Sequence, residues 1–419
     1  MNIPRQLIER KPFLWRNQKK NNHVVLDMAQ MKSARADWEA FSPLLKELFD
    51  VSTIDSEVKR LSKVHAGHPA QSHQLKEDSA LPVAGSIKAR GGFFEVLSHA
   101  RDLAIKEGII GEEDSPRLLA DRKDFFQHYS LHVASTGNLG LSIGLMGRSL
   151  GFTVYVHMSS DAKEWKKELL RSRGAEVIEY DGDYSEAVVR GREASDRDPR
   201  AYFVDDERSL RLFWGYSKAG YDLQAQLPDD ISEERPLFVS IPCGVGGAPG
   251  GIAYALKALY GPAVHIFFAE PVEAPAVLLG MATGKGEEIR VQDIGLSGKT
   301  LADGLAVGKP SGFVCEQMEE VLSGIYTVTD QALQAMQYLL YKEEGIKCEP
   351  SACAGLLLPY YLKTEEGRLY LEQEGIREEH IRYVYWATGG ARVPEDIYQE
   401  QLEEGREVLE EQPDIFSVV

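Results

Sequence analysis

The chain has little cysteine. Cys243, Cys315, Cys348 and Cys353 are the four in 419 residues, with no paired spacing, too few for a disulfide scaffold. A reducing compartment fits that usage. Long apolar runs are also missing: no stretch approaches 18 uninterrupted apolar residues, so no helical membrane span is expected. Met1 to Asn17 is interrupted by Arg5, Glu9, Arg10 and Lys11 and lacks the apolar core of a signal peptide. Positive charge is scarce, with 47 Lys and Arg against 65 Asp and Glu and a net charge of −18. Such a body repels phosphate backbones, which argues against nucleic-acid and anionic-membrane partners. Internal repeats and low-complexity segments are absent. What is present is ordinary for a globular chain: 43% apolar and 27% charged residues exclude disorder as the main state. The length allows two or three domains, or one large α/β body with a lobe. The expectation is a soluble, cytoplasmic protein.

Periodicity supplies the architecture. The segment 65–73, punctuated by Gly67 and Pro69, reads as a loop. An amphipathic helix is expected from Ala89 to Glu107, burying Phe93, Phe94, Val96, Leu97, Ala100 and Ala104. Strands are then expected at 129–134, 152–157, 175–180, 201–204, 237–241, 265–269 and 383–387. Helices are expected at 139–150, 162–173, 185–194, 214–227, 252–260 and 330–344. Short, nearly all-apolar strands alternating with helices indicate parallel βαβ units covered on both faces. The Glu-rich stretch 399–411 reads as a solvated helix face.

The sharpest local feature is Cys243-Gly-Val-Gly-Gly-Ala-Pro-Gly-Gly251, with five glycines and a proline in nine residues between a strand and a helix. Backbone N–H groups without side chains can encircle an anion, and a helix N-terminus adds its positive dipole end. The pattern is that of a phosphate cup, but Pro249 departs from the dinucleotide motif and no Walker Lys-Ser/Thr follows. A second loop, Ser135-Thr136-Gly137-Asn138, converges two hydroxyls, an amide and a helix N-terminus, which suits a carboxylate as well as an ordinary cap. Lys88, in Gly85-Ser-Ile-Lys-Ala-Arg-Gly-Gly92, falls where a helix starts, a place where a cation opposes the macrodipole. A Schiff-base lysine acts as the free amine. One cup for a phosphate and one for a carboxylate suggest a phosphorylated cofactor and an amino-acid substrate.

Ser86-Ile-Lys88-Ala-Arg-Gly91-Gly92 resembles the lysine motif of the fold-type II pyridoxal-phosphate (PLP) enzymes. Ser135–Asn138 resembles their substrate-carboxylate loop and Gly244–Gly251 their phosphate loop, in the family's order. Thr300 to Val307, Glu349-Pro-Ser351 and Ala387-Thr388-Gly389-Gly390 are also similar to family segments. The resemblance is strongest to the bacterial D-serine dehydratase (D-serine ammonia-lyase) branch and runs from about residue 75 to Glu400. Ala248 replaces an expected glycine.

The resemblance implies an α/β fold, tryptophan synthase β-like, of two lobes, each with a mostly parallel twisted sheet covered by helices. Residues 1–124 and 206–419 would form the cofactor domain and 125–205 a small domain carrying the carboxylate loop. Lys88 would hold the cofactor aldehyde. Gly244, Val245, Gly246, Gly247 and Gly251 would cradle its phosphate, Asn138 would bond its phenolic oxygen, and Thr388 would face its ring nitrogen. Ser135, Thr136 and Gly137 would take the substrate carboxylate, with Thr136 able to give a proton to the leaving hydroxide. Asp206 would contact the substrate hydroxyl or select the D-enantiomer; a plain turn role for Asp205 and Asp206 is the alternative. Glu270 and the carbonyl of Ala274 would bind K⁺ or Na⁺. The implied reaction is elimination of water from D-serine to give pyruvate and ammonia, with D-threonine as a second candidate. Alternatives on the same scaffold are L-serine or L-threonine dehydratase, diaminopropionate ammonia-lyase and serine racemase. The sequence does not set the oligomeric state. His65, His68 and His73, with no nearby cysteine on a broken segment, are not expected to bind zinc. Cys243 is expected to be a small buried apolar residue rather than a nucleophile.

Overall fold

Four interior strands of one sheet carry apolar side chains on both faces because helices cover both sides of that sheet. In the computed structural model, which describes residues 3–182 and 184–417, the strands are β1 Leu14–Arg16, β2 Val58–Leu61, β3 Ser72–Lys76, β4 Ser130–Ala134, β5 Thr153–Ser159, β6 Glu176–Tyr180, β7 Ala201–Val204, β8 Leu237–Pro242, β9 Val264–Pro271, β10 Gly324–Val328 and β11 Arg382–Trp386. The chain divides into two units. One comprises the residues up to Asp27, Ser56–Ala80 and those from Ala219 on; the other comprises Met28–Asp55 and Leu81–Lys218.

The first unit holds a seven-stranded sheet ordered β1-β10-β9-β8-β11-β3-β2. Its five central strands run parallel, and β1 and β2 pair antiparallel at the edges. Every residue of β8, β9, β10 and β11 is buried, whereas edge strand β2 is half open. Phe238, Phe267, Tyr326, Leu333, Met336, Tyr383 and Tyr385 belong to one core. One of its hydroxyls is doubly bonded: Tyr326 shares a hydrogen bond of 2.8 Å with Ser240 and also donates to the carbonyl of Ala354. The Glu-rich segment lies in a packed helix, Glu395–Glu411, that buries Tyr398, Leu402 and Gly405.

The second unit holds an all-parallel sheet ordered β6-β5-β4-β7. β4 is wholly buried and β6, at the edge, is partly exposed. The helix Lys88–Lys106 belongs to this unit, which differs from the expected boundaries at 125 and 205. The reason is close packing on the helix Asn138–Leu150. A Cβ on Gly92 would stand 3.1 Å from Ser142 Cβ and 3.3 Å from Ile143 Cδ1.

Most expected elements match within a few residues. The exception is the segment 65–73, expected as a loop throughout: His73 belongs to β3. The polar sequence Ser-His-Gln-Leu-Lys carries no apolar run, but pairing with β11 makes it a strand. His73 stacks on Tyr383 and its Nδ1 lies 2.7 Å from the Tyr385 hydroxyl. Burial lowers the pKa of His68 and of His73 from 6.5 to about 4. No group of His, Cys, Asp or Glu among the described residues is arranged to hold a metal ion. No helix among them is long and apolar enough to cross a membrane.

Candidate active site

Lys88 is the first residue of the helix Lys88–Lys106, and no side chain caps that helix end. Its ammonium is answered instead by a carboxylate: Lys88 Nζ stands 3.0 Å from Asp206 Oδ2 and 3.5 Å from Oδ1. Asp206 is mostly buried, with 8% of its side chain exposed, so the pair is largely removed from solvent screening. The adjacent Asp205 has a different task. It accepts Arg192 Nη2 at 2.6 Å and the Glu207 N–H at 3.1 Å, which ties the turn after β7 to the helix Tyr184–Asp196. The two neighbouring acids thus separate into a structural member and one that faces the lysine.

The carboxylate loop follows β4 in the same unit. Ser135 Oγ accepts the N–H groups of Gly137 and Gly140, both at 2.9 Å. Two acceptances leave the hydroxyl proton of Ser135 as the donor it can offer a ligand. Gly137 was expected to donate to the substrate carboxylate, but Ser135 takes its N–H. Gly137 supplies shape instead: its φ is 146°, and a Cβ there would lie 2.5 Å from Lys166 Cδ. Thr136 is half buried, and Asn138 opens the helix Asn138–Leu150.

In the first unit, β8 runs into the glycine loop. The helix Gly247–Tyr260 starts inside the motif, with Gly246 as its cap at φ 109° and no side-chain cap. The N–H groups of Gly244, Val245, Gly246 and Gly247 make no hydrogen bond among the described residues. Gly251, expected in the cradle, sits one turn further along, where the helical ladder takes its N–H. Ala248 is buried in the first turn. Cys243 is fully buried, as expected for a small apolar residue.

The other family-like segments pack on this loop in succession. A Cβ on Gly244 would lie 3.0 Å from the Gly304 carbonyl, and one on Gly304 would lie 3.4 Å from Ser351 Oγ. The Glu349 N–H donates to the Gly389 carbonyl at 3.0 Å, and Gly390, at φ 134°, leaves no room for a side chain against the backbone of Cys348 and Glu349. This packing holds the buried Thr388 in place just after β11.

Glu270, inside β9, is fully buried, and burial pushes its carboxyl up to about 8. Its two oxygens accept the N–H groups of Val277 and Leu278 at 2.8 and 2.9 Å, so it caps the helix Ala276–Thr283 from a distance. Ala274, also buried, follows the turn in which its own N–H donates to Pro271.

The residues suit a phosphorylated aldehyde. The unpaired N–H groups of the glycine loop fit a phosphate, and Lys88 is an amine beside a counter-charge. Three buried hydroxyls near the motifs lack a partner among the described residues: Ser86, Tyr216 and Ser351. Sequence reasoning did not single out Tyr216, and it named Ser351 only as the end of a family-like segment, because nothing in their local pattern marks an unpaired hydroxyl.

A parallel α/β fold with an amine-bearing helix start, a glycine phosphate cup and a serine-threonine carboxylate loop defines a PLP enzyme of fold-type II. Residues 57–368 match the pyridoxal-phosphate dependent enzyme family, and the chain belongs to it. It is 46% identical over 413 residues to a protein of Bacillus subtilis (strain 168) named "Probable D-serine dehydratase", covering 93% of this chain and 92% of that one. A Fusobacterium nucleatum protein of the same name is 46% identical over 417 residues, covering 94% and 95%. Among solved structures, the diaminopropionate ammonia lyase of Escherichia coli in complex with D-serine superposes with a TM-score of 0.75 at 18% identity, over 94% of this chain and 98% of that one.

Proposed function

We propose that the protein is a PLP-dependent lyase that eliminates water from D-serine and yields pyruvate and ammonia, with D-threonine as a second substrate. The observation that carries this reading is Asp206 facing Lys88 at 3.0 Å. The pairing puts a carboxylate beside the reactive amine, so that two groups able to move a proton flank one position. Near-50% identity to proteins named for D-serine dehydration supports the choice of substrate.

When bound, PLP supplies an aldehyde that captures the substrate amine and a ring that withdraws electrons from Cα. The chain's own groups do the rest. Gly244, Val245, Gly246 and Gly247 hold the phosphate with backbone N–H groups, and Asn138 bonds the phenolic oxygen. Thr388 offers the ring nitrogen a neutral hydroxyl, which makes a weaker electron sink than a carboxylate would and suits rapid loss of the β-hydroxyl. Ser135 and Thr136 fix the substrate carboxylate. Lys88 or a second base beside it removes the Cα proton, and Asp206, 3.0 Å from that amine, contacts the substrate hydroxyl or selects the D-enantiomer. Thr136 gives the departing hydroxide a proton. Water hydrolyses the released enamine to pyruvate and ammonia, so the water lost is regained and the atoms balance.

Glu270 and the Ala274 carbonyl hold a monovalent cation, K⁺ or Na⁺. Support comes from the buried carboxyl of Glu270, which a cation would keep ionised. Exchanging K⁺ and Na⁺ for a bulky organic cation is expected to lower turnover. The four buried thiols support a cytoplasmic location.

Pyruvate formation from D-serine and from L-serine, assayed side by side, tests the reading. D-serine is expected to have the higher kcat/KM; equal values, or faster turnover of the L-enantiomer, would overturn it.

A further inference from the structure

Tyr216 lies in the helix Leu210–Gln224 and is fully buried, yet its hydroxyl has no partner among the described residues. Its ring edge rests on Gly91, one turn after Lys88; a Cβ on Gly91 would lie 2.4 Å from both Cε2 and Cζ. The contact is matched by Gly215, where a Cβ would lie 2.7 Å from Phe94 Cβ. The phenol is therefore pressed against the start of the lysine helix by a glycine on each side. Its pKa is raised well above 10, first by burial and then by Asp206 and Glu95. Tyr216 is a neutral donor at every physiological pH.

Of those two carboxylates, Glu95 is already satisfied. Tyr202 donates to its Oε1, and Ser209 Oγ donates to Oε2 at 2.5 Å. Among the described residues Asp206 has Lys88 alone, through both oxygens. With Lys88 engaged by the cofactor, its amine would no longer be free to answer Asp206, and a mostly buried carboxylate would be left short of a partner. An isolated buried charge is costly, and the nearby buried hydroxyl also lacks a bond. We propose that Tyr216 is a positioning residue whose hydroxyl donates to Asp206 whenever Lys88 is engaged, holding that carboxylate aimed at the substrate. The consequence for turnover rests on the reading of Lys88 and Asp206 above.

The test is a double-mutant cycle on the purified full chain, read as thermal midpoints of wild type, Tyr216→Phe, Lys88→Met and the double variant. With Lys88 present and the cofactor removed, Tyr216→Phe removes an unpaired hydroxyl, so the midpoint should stay the same or rise. Without the lysine, the same change should lower the midpoint by roughly 2–4 °C. Equal shifts in the two backgrounds overturn the proposal. So does the same coupling appearing instead for Tyr184→Phe, since Asp206 also raises the pKa of Tyr184. If Lys88→Met fails to give soluble protein, the cycle is run between the cofactor-free and the borohydride-reduced, cofactor-bound forms. With D-serine, Tyr216→Phe should lose about tenfold in kcat at unchanged KM; an unchanged kcat overturns the proposal. If the wild type does not turn over D-serine, the substrate assignment fails, while the cycle still decides whether Tyr216 serves Asp206.

Discussion

Asp206 and Lys257 show opposite ways of burying a charge. Asp206 is paired, and its partner is the group that the reaction must free. Replacing Asp206 by Ala removes a charged hydrogen bond, which typically costs about 1.5–3 kcal/mol, so the ratio of D- to L-serine kcat/KM should fall roughly ten- to a hundredfold. Intact discrimination in that variant would remove Asp206 from the selection of hand. Lys257 is 1% exposed, and its ammonium has no partner among the described residues. Burial, followed by the nearby charge of Lys20, lowers its pKa from 10.5 to about 8. Below pH 8 the native state carries the full cost of that buried charge. Between about 8 and 10.5 the native state gives up the proton while the unfolded chain keeps it, so stability rises with pH across this window. Lys257→Met should be more stable than wild type at pH 7, by on the order of 2 kcal/mol. Its advantage should shrink towards pH 10.5; denaturant midpoints at pH 7 and pH 10 measure both. At this scale the sequence was half legible. Lys88 could be named from its motif, but Asp206 could be preferred to Asp205 only by resemblance, since as adjacent letters the two are alike. Only the reach of Arg192 to one and Lys88 to the other separates them.

The glycine loop shows how much an element depends on backbone shape. Gly246 has φ 109°, and a Cβ there would stand 2.8 Å from Val314 Cγ1. Val314 is not free to retreat, because the cap Ser311, whose Oγ accepts the Val314 N–H, itself donates its N–H to the Val245 carbonyl. Gly246→Ala therefore combines a disfavoured backbone region with a clash, about 1–3 kcal/mol of strain. It should weaken PLP binding at least tenfold in an absorbance titration; unchanged affinity would mean that the loop is not the phosphate cup. The sequence located this loop because glycine clusters are visible as letters, and it located β8, β9 and β11 because their apolar runs are unbroken. It missed β1, β2, β3 and β10. β3 is polar, and its identity as a strand comes from long-range pairing with β11. The helix after the loop was expected five residues late, since glycine and proline argue for a turn when tertiary packing is out of view.

At the scale of the whole molecule, all four cysteines are free and buried, and burial raises the pKa of Cys315 and of Cys348 to about 12. Thiolate is the reactive form, so a chromogenic disulfide reagent should modify fewer than one thiol per chain over minutes in the native state and all four in guanidinium. Rapid modification of two or more without denaturant would contradict the burial. The pair of parallel sheets was legible from the alternation of strand and helix. The grouping of the lysine helix with the carboxylate loop was not, because it depends on the close approach at Gly92 rather than on any boundary in composition.

The strand order of the large sheet also bears on how the chain comes into being on the ribosome. Leu14 in β1 pairs with Tyr326 and Ser72 in β3 pairs with Arg382, so these early strands find neighbours that are translated much later. The second unit needs nothing beyond Lys218 and is complete while β8 to β11 are still unmade. The nascent polypeptide thus finishes its middle first, and β1 and β3 wait with unpaired edges until β10 and β11 are made, a window in which chaperones have the most to protect.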